Sequence, residues 1–297
     1  MLSYVVAILF ALFMWEFAAV KVNLRLPAKM RKRLFRFGGR FALLAIVIEL
    51  VTIFAVPSAT SPFHHAFVQA LFIAALPGEL LKFAAINQFG RQGDGQSNPA
   101  LIILVAVGIS LGFAVLEIGL LGPGGLSIAA MLRSAISIPV HALFGFTMGA
   151  FMAMAWRVPL KTDKRMLALA LAMPLMFHFS YDFLLLLNKF DGTLFWPKIC
   201  LPILVLLEGV FALILTNHAL SGAKGGPKSS QAMDPDGRRA LGFSFIAIGL
   251  LVGAMFLNIR DPKLPDLLLF AVISLVLALD LGLLAYVRGT VMGKMRL

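Results

Sequence analysis

The sequence has few charged residues and almost no cysteine for its length. Only 13% of its 297 residues are charged and 60% are hydrophobic, whereas about 25% are charged in a typical soluble domain. A soluble globule could not bury so much apolar surface, and the same composition excludes a disordered chain. Cys200 is the single cysteine, which excludes an internal disulfide and a cysteine-based metal centre. The composition therefore indicates a polytopic membrane protein.

Acidic residues are also scarce, with 14 Asp and Glu against 26 Lys and Arg and a formal net charge of +12. In a soluble protein such a charge would favour nucleic-acid binding. Here the basic residues lie mostly between apolar stretches, where they orient the helices and contact anionic lipid head groups. The sequence therefore predicts a lipid bilayer around the protein and no nucleic-acid partner.

Nine apolar stretches are long enough to cross the hydrocarbon core as helices, which takes about 20 residues each. The sequence therefore predicts an all-α membrane bundle of about nine transmembrane helices. The predicted spans are residues 2–20, 41–60, 66–90, 101–121, 128–156, 166–188, 197–219, 241–258 and 266–287.

The composition divides this bundle into three parts. Residues 1–219 would form the main membrane bundle, with a polar core on the helices that span 66–190. Residues 220–240 are rich in Gly, Lys and Ser and are expected to be a flexible cytoplasmic loop. Residues 241–297 would add two transmembrane helices and a short cytoplasmic tail.

The basic residues predict the orientation of the bundle. Segment 21–40 holds eight of them and no acid, so we expect it to be cytoplasmic. In the nine-helix arrangement, the segments on that side hold 20 of the 26 basic residues, against 4 on the other. This asymmetry predicts an N-terminus outside the cytoplasm and a C-terminus inside it.

Ten ionisable side chains fall well inside the predicted spans, where charge is costly. The two cations cannot neutralise six carboxylates, so either some acids are protonated or a metal or a water-filled cavity compensates. We expect three of the acids, Glu49, Glu208 and Asp280, to be structural hydrogen-bonding groups. The other seven side chains are Glu79, Lys82, Glu117, Arg133, His141, His178 and Asp182.

Five of these seven lie on consecutive spans at one depth, between mid-membrane and the outer leaflet. Five polar groups at one depth are costly without a purpose, which indicates a functional site. His178 and Asp182 are four residues apart on one helix face, so the carboxylate could orient the imidazole. Small residues at four-residue spacing also predict close helix packing beside this layer: Gly108, Gly112, Gly145 and Gly149. The predicted site residues are Glu79, Glu117, His141, His178 and Asp182.

The order of these residues resembles the PrsW family of intramembrane proteases and, distantly, the CAAX-processing membrane endopeptidases. The PrsW family has Glu-Glu-x-x-Lys on one helix and Phe-x-x-x-Glu on the next. An Arg, a Gly-rich helix with a His, and His-x-x-x-Asp or Asn follow. The CAAX-processing type has His in the second motif where this chain has Glu117. The matching residues, within about 66–190, are Gly78-Glu79-Leu80-Leu81-Lys82, Phe113-Ala114-Val115-Leu116-Glu117, Arg133, His141 and His178-Phe179-Ser180-Tyr181-Asp182.

The chain departs from the family motif at Gly78, where the family has the first Glu of its pair. If that first Glu is the base that activates water, the chain would be weakened or inactive. If the second Glu is the base, Gly78 only loosens the helix and Glu79 keeps the role.

The resemblance implies hydrolysis of a peptide bond inside the membrane, which needs a base and stabilisation of an oxyanion. Our hypothesis takes Glu79 as the base, with Lys82 favouring the charged form of its carboxylate. The histidines of the site would stabilise the oxyanion or protonate the leaving amine, and Asp182 would orient His178. Arg133 would pair with Glu117 or with another carboxylate.

A metal-dependent version uses the same residues. His141 and His178, with Asp182 or Glu117, would hold a divalent ion such as zinc, and Glu79 would again be the base. The sequence has no His-Glu-x-x-His pattern, so it does not itself require a cofactor. The resemblance slightly favours the metal-free version.

By resemblance, the substrate would be a single-span membrane protein cut near its extracytoplasmic side, as in regulatory cleavage of an anti-sigma factor. The protein would be a multi-pass protein of a bacterial inner membrane. Two alternatives are a proton-coupled transporter and a non-catalytic scaffold that has lost the first motif Glu, as Gly78 suggests. Hydrolysis requires Glu79, His141 and His178 to converge within about 6 Å, so that one water can serve them all.

Overall fold

The computed structural model describes residues 2–55, 61–90, 98–121, 128–157, 162–190 and 195–221. Every regular element in these ranges is helical, as predicted for an all-α bundle. Residues Gln69–Ala75 form a π-helical segment that joins α3 to α4 in one continuous span. The helices are α1 (Leu2–Lys21), α2 (Ala28–Ala55), α3 (Pro62–Val68), α4 (Leu76–Gly90), α5 (Pro99–Leu121), α6 (Ile128–Ala155), α7 (Lys164–Phe190) and α8 (Trp196–Ser221).

Seven of these helical spans, counted over the described ranges, are long and apolar enough to cross a membrane. They coincide with the first seven predicted stretches and confirm a multi-pass bundle. The predicted loop 220–240 begins within the last turn of α8, and the rest of it lies outside the described residues. The predicted spans 241–258 and 266–287, with Asp280, lie outside them as well.

Helix α2 differs from its prediction because it starts much earlier. The sequence pattern places a basic connecting segment at 21–40 and a span at 41–60, whereas the helix begins at Ala28 and ends at Ala55. Lys and Arg are good helix formers, so the helix extends beyond the apolar stretch. Arg31 Nη1 lies 3.1 Å from Glu16 Oε1, which ties this basic end of α2 to α1.

Helices α5 and α6 form the centre of the bundle. Most of their side chains are buried, and they pack against each other and against α1, α2, α7 and α8. The peripheral helices expose large apolar side chains, such as Val51, Phe54, Leu207 and Ile214. Such exposure suits a lipid environment, where apolar side chains need no cover from water.

Glycines allow the close approach of the central helices, as their spacing predicts. A Cβ atom at Gly145 would lie 2.9 Å from Val107 Cα, and one at Gly149 would lie 2.8 Å from Ile103 Cα. These positions of α6 therefore lie directly against the backbone of α5. The contact fixes the rotation and depth of His141, which is one turn before Gly145.

We expect Gly145→Ala to destabilise the protein by about 1–3 kcal/mol, because its new methyl group would overlap the α5 backbone. Gly209→Ala on α8 is the matched control, since its Cβ would meet only Leu143 Cδ1 at an ordinary 3.7 Å. Thermal denaturation in detergent should separate the two variants. Equal stability of Gly145→Ala and the wild type would contradict the close contact.

Candidate functional site

Six ionisable side chains from α4, α5, α6 and α7 form an unbroken series of contacts inside the bundle. Neighbouring groups in the series lie between 2.6 and 3.3 Å apart. All five predicted site residues belong to it, together with the predicted supporting lysine. We call this series the polar chain, and its order is Glu117, His141, Lys82, Glu79, His178 and Asp182.

The centre of the polar chain is a fully buried ion pair. Lys82 Nζ donates to Glu79 Oε1 at 2.6 Å and to His141 Nδ1 at 3.0 Å. It also lies 4.6 Å from the ring centroid of Phe113 and 5.5 Å from that of Phe144. An ammonium group can only donate, so Nδ1 of His141 must carry no hydrogen, and the neutral ring carries its hydrogen on Nε2.

Each histidine of the polar chain has a carboxylate beside its Nε2 atom, the ring nitrogen that does not contact Lys82 or Glu79. His141 Nε2 lies 3.3 Å from Glu117 Oε2. His178 Nδ1 lies 2.8 Å from Glu79 Oε1, and its Nε2 lies 3.2 Å from Asp182 Oδ2. The predicted contact between His178 and Asp182 is therefore present, and His178 can donate to a carboxylate from each nitrogen.

The polar chain is sealed in its middle and partly open at both ends. The side chains of Glu79 and Lys82 are fully buried, whereas those of Glu117 and Asp182 are 19% and 22% exposed. The two ends of the polar chain are therefore partly open to the surroundings, whereas the central carboxylate is enclosed. The two histidine rings are 5.3 Å apart between centroids, and Glu79 contacts His178 directly and His141 through Lys82. The three residues therefore converge within the distance of about 6 Å over which one water molecule could serve them all.

Prolines precede the site residues on several helices. Pro77 comes two residues before Glu79, and Pro139 comes two residues before His141. A proline lacks the N–H that a helix needs, so each one loosens the backbone just before the site. On the Glu79 helix the change in winding is visible, because the π-helical segment ends at Ala75, two residues before Pro77. Such segments are frequent at functional sites.

Two acids that are predicted to be structural hydrogen-bonding groups also lie close to the polar chain. Glu49 on α2 is 6% exposed and Glu208 on α8 is 1% exposed. Glu49 interacts electrostatically with residues at both ends of the chain, and Glu208 with Glu79, Lys82 and His178. Glu49 lies on the buried stripe of α2, four residues after Ala45.

The side chain of Arg133 is not among those that the structure describes, although its backbone lies in α6. Its predicted pairing with Glu117 therefore stays a prediction.

The residues predicted to hold a metal are not arranged to bind one. A metal-binding nitrogen needs a free lone pair, but His141 Nδ1 accepts from Lys82 and both nitrogens of His178 face carboxylates. The Lys82 ammonium group already occupies the position between Glu79 and His141. It is the cation whose charge Glu79 balances there. No group of three His, Cys, Asp or Glu in the described part of the chain is placed to hold a metal ion.

The family model of PrsW family intramembrane metalloproteases matches residues 26–214, which include the whole polar chain. No solved structure matches the chain.

Curated relatives agree with this family match. Protease PrsW of Shouchella clausii is 29% identical over 184 residues, which cover 61% of this chain and 80% of the relative. Protease PrsW of Oceanobacillus iheyensis is 31% identical over 171 residues, which cover 57% of this chain and 76% of the relative. The chain therefore belongs to the PrsW family, and it is a multi-pass membrane protease.

Proposed function

We propose that the protein hydrolyses a peptide bond of a membrane-protein substrate at the polar chain, by chemistry that uses a glutamate and no metal. The observation that carries this proposal is the series of contacts that joins six ionisable side chains from four helices. A merely structural ion pair would need only Lys82 and Glu79. Two further carboxylate–histidine pairs at the partly open ends provide the groups that acyl hydrolysis requires.

Glu79 is proposed as the general base. Its Oε1 atom accepts from Lys82 and His178, while Oε2 is buried with no hydrogen-bond partner among the described residues. A water molecule that entered the site could donate to Oε2, because a buried acceptor without a partner is costly. The carboxylate would take one proton from this water as the water oxygen attacks the substrate carbonyl.

His141 is proposed to stabilise the oxyanion that this attack forms. Its Nε2 carries the hydrogen and faces Glu117, at a partly open end of the polar chain. A substrate carbonyl that entered there could accept this hydrogen in place of the glutamate. His178 is a weaker candidate for this role, because both of its nitrogens face carboxylates. We assign His178 and Asp182 to holding Glu79 in position.

The proposed side of cleavage follows from the basic end of α2. If this end is cytoplasmic, as the positive-inside rule predicts, the C-terminal halves of α5 and α7 lie towards the outer leaflet. Glu117 and Asp182 are in those halves. We therefore propose nine helices with the N-terminus outside, and cleavage of a single-span protein near its extracytoplasmic side. Regulatory cleavage of an anti-sigma factor is a reaction of this kind.

The test is cleavage by the purified protein in lipid nanodiscs. A panel of single-span membrane proteins would be incubated with wild type, His178→Ala and His218→Ala, and new termini would be mapped by mass spectrometry. We expect wild type and His218→Ala to cleave, since His218 is exposed at the end of α8. We expect His178→Ala to lose cleavage by about 10²-fold or more.

Metal dependence is tested in the same assay with a zinc chelator. We expect an unchanged cleavage rate, because Lys82 supplies the positive charge beside Glu79. Loss of cleavage with the chelator, and its recovery when zinc is added back, would contradict the metal-free mechanism.

A further inference from the structure

Gly78 leaves a place beside the polar chain without a side chain. A Cβ atom at this position would lie 3.7 Å from His178 Cε1 and 3.6 Å from Phe113 Cζ. Both distances are ordinary van der Waals contacts, so a Cβ atom at 78 could be accommodated beside the His178 ring. Position 78 therefore lies next to the site, and it lacks the carboxyl group that would form an acidic pair with Glu79.

Glu49 approaches the same region from α2. The residues around it, Val47, Leu50 and Val51, are 57%, 46% and 63% exposed, whereas Glu49 is 6% exposed. Ala45, one turn before Glu49, lies in the same hydrophobic cluster as Phe113, the ring that a Cβ atom at Gly78 would also contact. Glu49 is thus turned inwards on an otherwise lipid-exposed part of α2.

The surroundings of Glu49 are those of an active-site acid. It interacts electrostatically with two residues of the polar chain on the α4 and α7 helices, Lys82 and His178, and with the carboxylates of Glu117 and Asp182. Glu49 is 6% exposed and lies in a span that is long and apolar enough to cross a membrane. An acid in that position is costly and calls for an explanation. A catalytic role in contact with water or substrate provides one.

We propose that Glu49 supplies the second carboxyl group of the active site from α2, in the place that Gly78 leaves without a side chain. The inference rests on the proposed hydrolysis. Glu79 takes a proton from the attacking water, and Glu49, in its protonated form, gives a proton to the leaving nitrogen as the C–N bond breaks. The products are a carboxylic acid and an amine, and one water is consumed. A water molecule then returns the proton from Glu79 to Glu49, which restores both groups. Pairs of carboxyl groups with different environments commonly divide acid and base roles in this way.

The test is a rescue experiment with the full chain in nanodiscs and the substrate that the panel identifies. We expect Glu49→Gln to reduce kcat by about 10²-fold or more, with little change in KM, because proton transfer is lost and binding is not. Adding Gly78→Glu to Glu49→Gln should restore at least about a tenth of the wild-type kcat, since the new side chain reaches the same site. Adding Gly78→Ala should restore nothing.

Glu208→Gln is the matched control for burial and charge. Glu208 is as buried as Glu49 and, like it, interacts electrostatically with Lys82 and His178, but it lies on α8, which packs mainly on α6 and α7. We expect Gly78→Glu to give no rescue in the Glu208→Gln background. Thermal denaturation of every variant would show whether a loss of activity comes from unfolding.

The outcomes separate this inference from the proposed function. Wild-type activity in Glu49→Gln, or an inactive Glu49→Gln that Gly78→Glu does not rescue, would overturn the role of Glu49. In either case a loss of activity in Glu79→Gln would leave the hydrolytic function standing. If Glu79→Gln cleaves as well as the wild type, the proposed mechanism itself fails.

Discussion

Replacing Glu79 by glutamine is expected to reduce peptide cleavage by about 10³-fold. The amide can still accept from Lys82, so the packing of the site is largely kept, but it cannot take a proton from water. Cleavage of the identified substrate in nanodiscs measures the effect on kcat. The melting temperature, recorded with the same preparation, shows that the loss does not come from unfolding.

Glu16→Gln is the control for removing a single glutamate. Glu16 on α1 is half exposed and pairs with Arg31, and neither residue belongs to the polar chain. Such surface pairs contribute only about 0–1 kcal/mol. Its cleavage rate should equal that of the wild type. If Glu79→Gln retained the wild-type rate, the base would have to be another group, and the buried Oε2 atom would need a different explanation.

The helices, and the set of ionisable residues that meet between them, were predictable from the sequence because both follow from the cost of the bilayer. Apolar stretches of sufficient length have to form helices in lipid, and seven predicted spans are indeed helices. Ionisable residues inside such spans are rare enough to indicate function. Glu79, Lys82 and His178 were identified on this basis, and the structure joins them in one series of contacts.

The contacts between helices were not predictable, because they depend on how each helix is rotated about its axis. Spacing along one helix showed that His178 and Asp182 share a face, but it could not show that Lys82 donates across to His141. The same uncertainty explains the structural role assigned to Glu49. Ala45, one turn before Glu49, lies in the same hydrophobic cluster as Phe113, which spacing along α2 alone could not predict.

Whether these residues could bind a metal ion also depends on contacts between helices, which cannot be read from a sequence. Two histidines and an aspartate are a reasonable zinc set by residue type. The structure gives Lys82 and the carboxylates as the partners of these histidines, so their lone pairs are already used. In the proposed metal-free mechanism, Lys82 would supply the positive charge beside Glu79.

Replacing Lys82 by methionine should have the largest effect on stability. The ammonium group is fully buried and balances the equally buried Glu79, so its removal leaves a carboxylate in the bundle interior with only His178 to compensate. Breaking a buried ion pair in this way costs about 3–5 kcal/mol. Thermal or denaturant unfolding in detergent would measure the loss, and cleavage should fall with it because Glu79 is no longer held in place.

The double variant Glu79→Gln with Lys82→Met distinguishes the charge imbalance from lost packing. With both charges removed, no carboxylate remains unpaired at this position, and a pair replaced by neutral groups is often as stable as the original. We therefore expect the double variant to be more stable than Lys82→Met alone, with a coupling energy of about 1–3 kcal/mol. It should remain inactive, because it lacks the base. Equal stability of the double variant and Lys82→Met would instead mean that Lys82 acts by its contacts with the rings of Phe113 and Phe144.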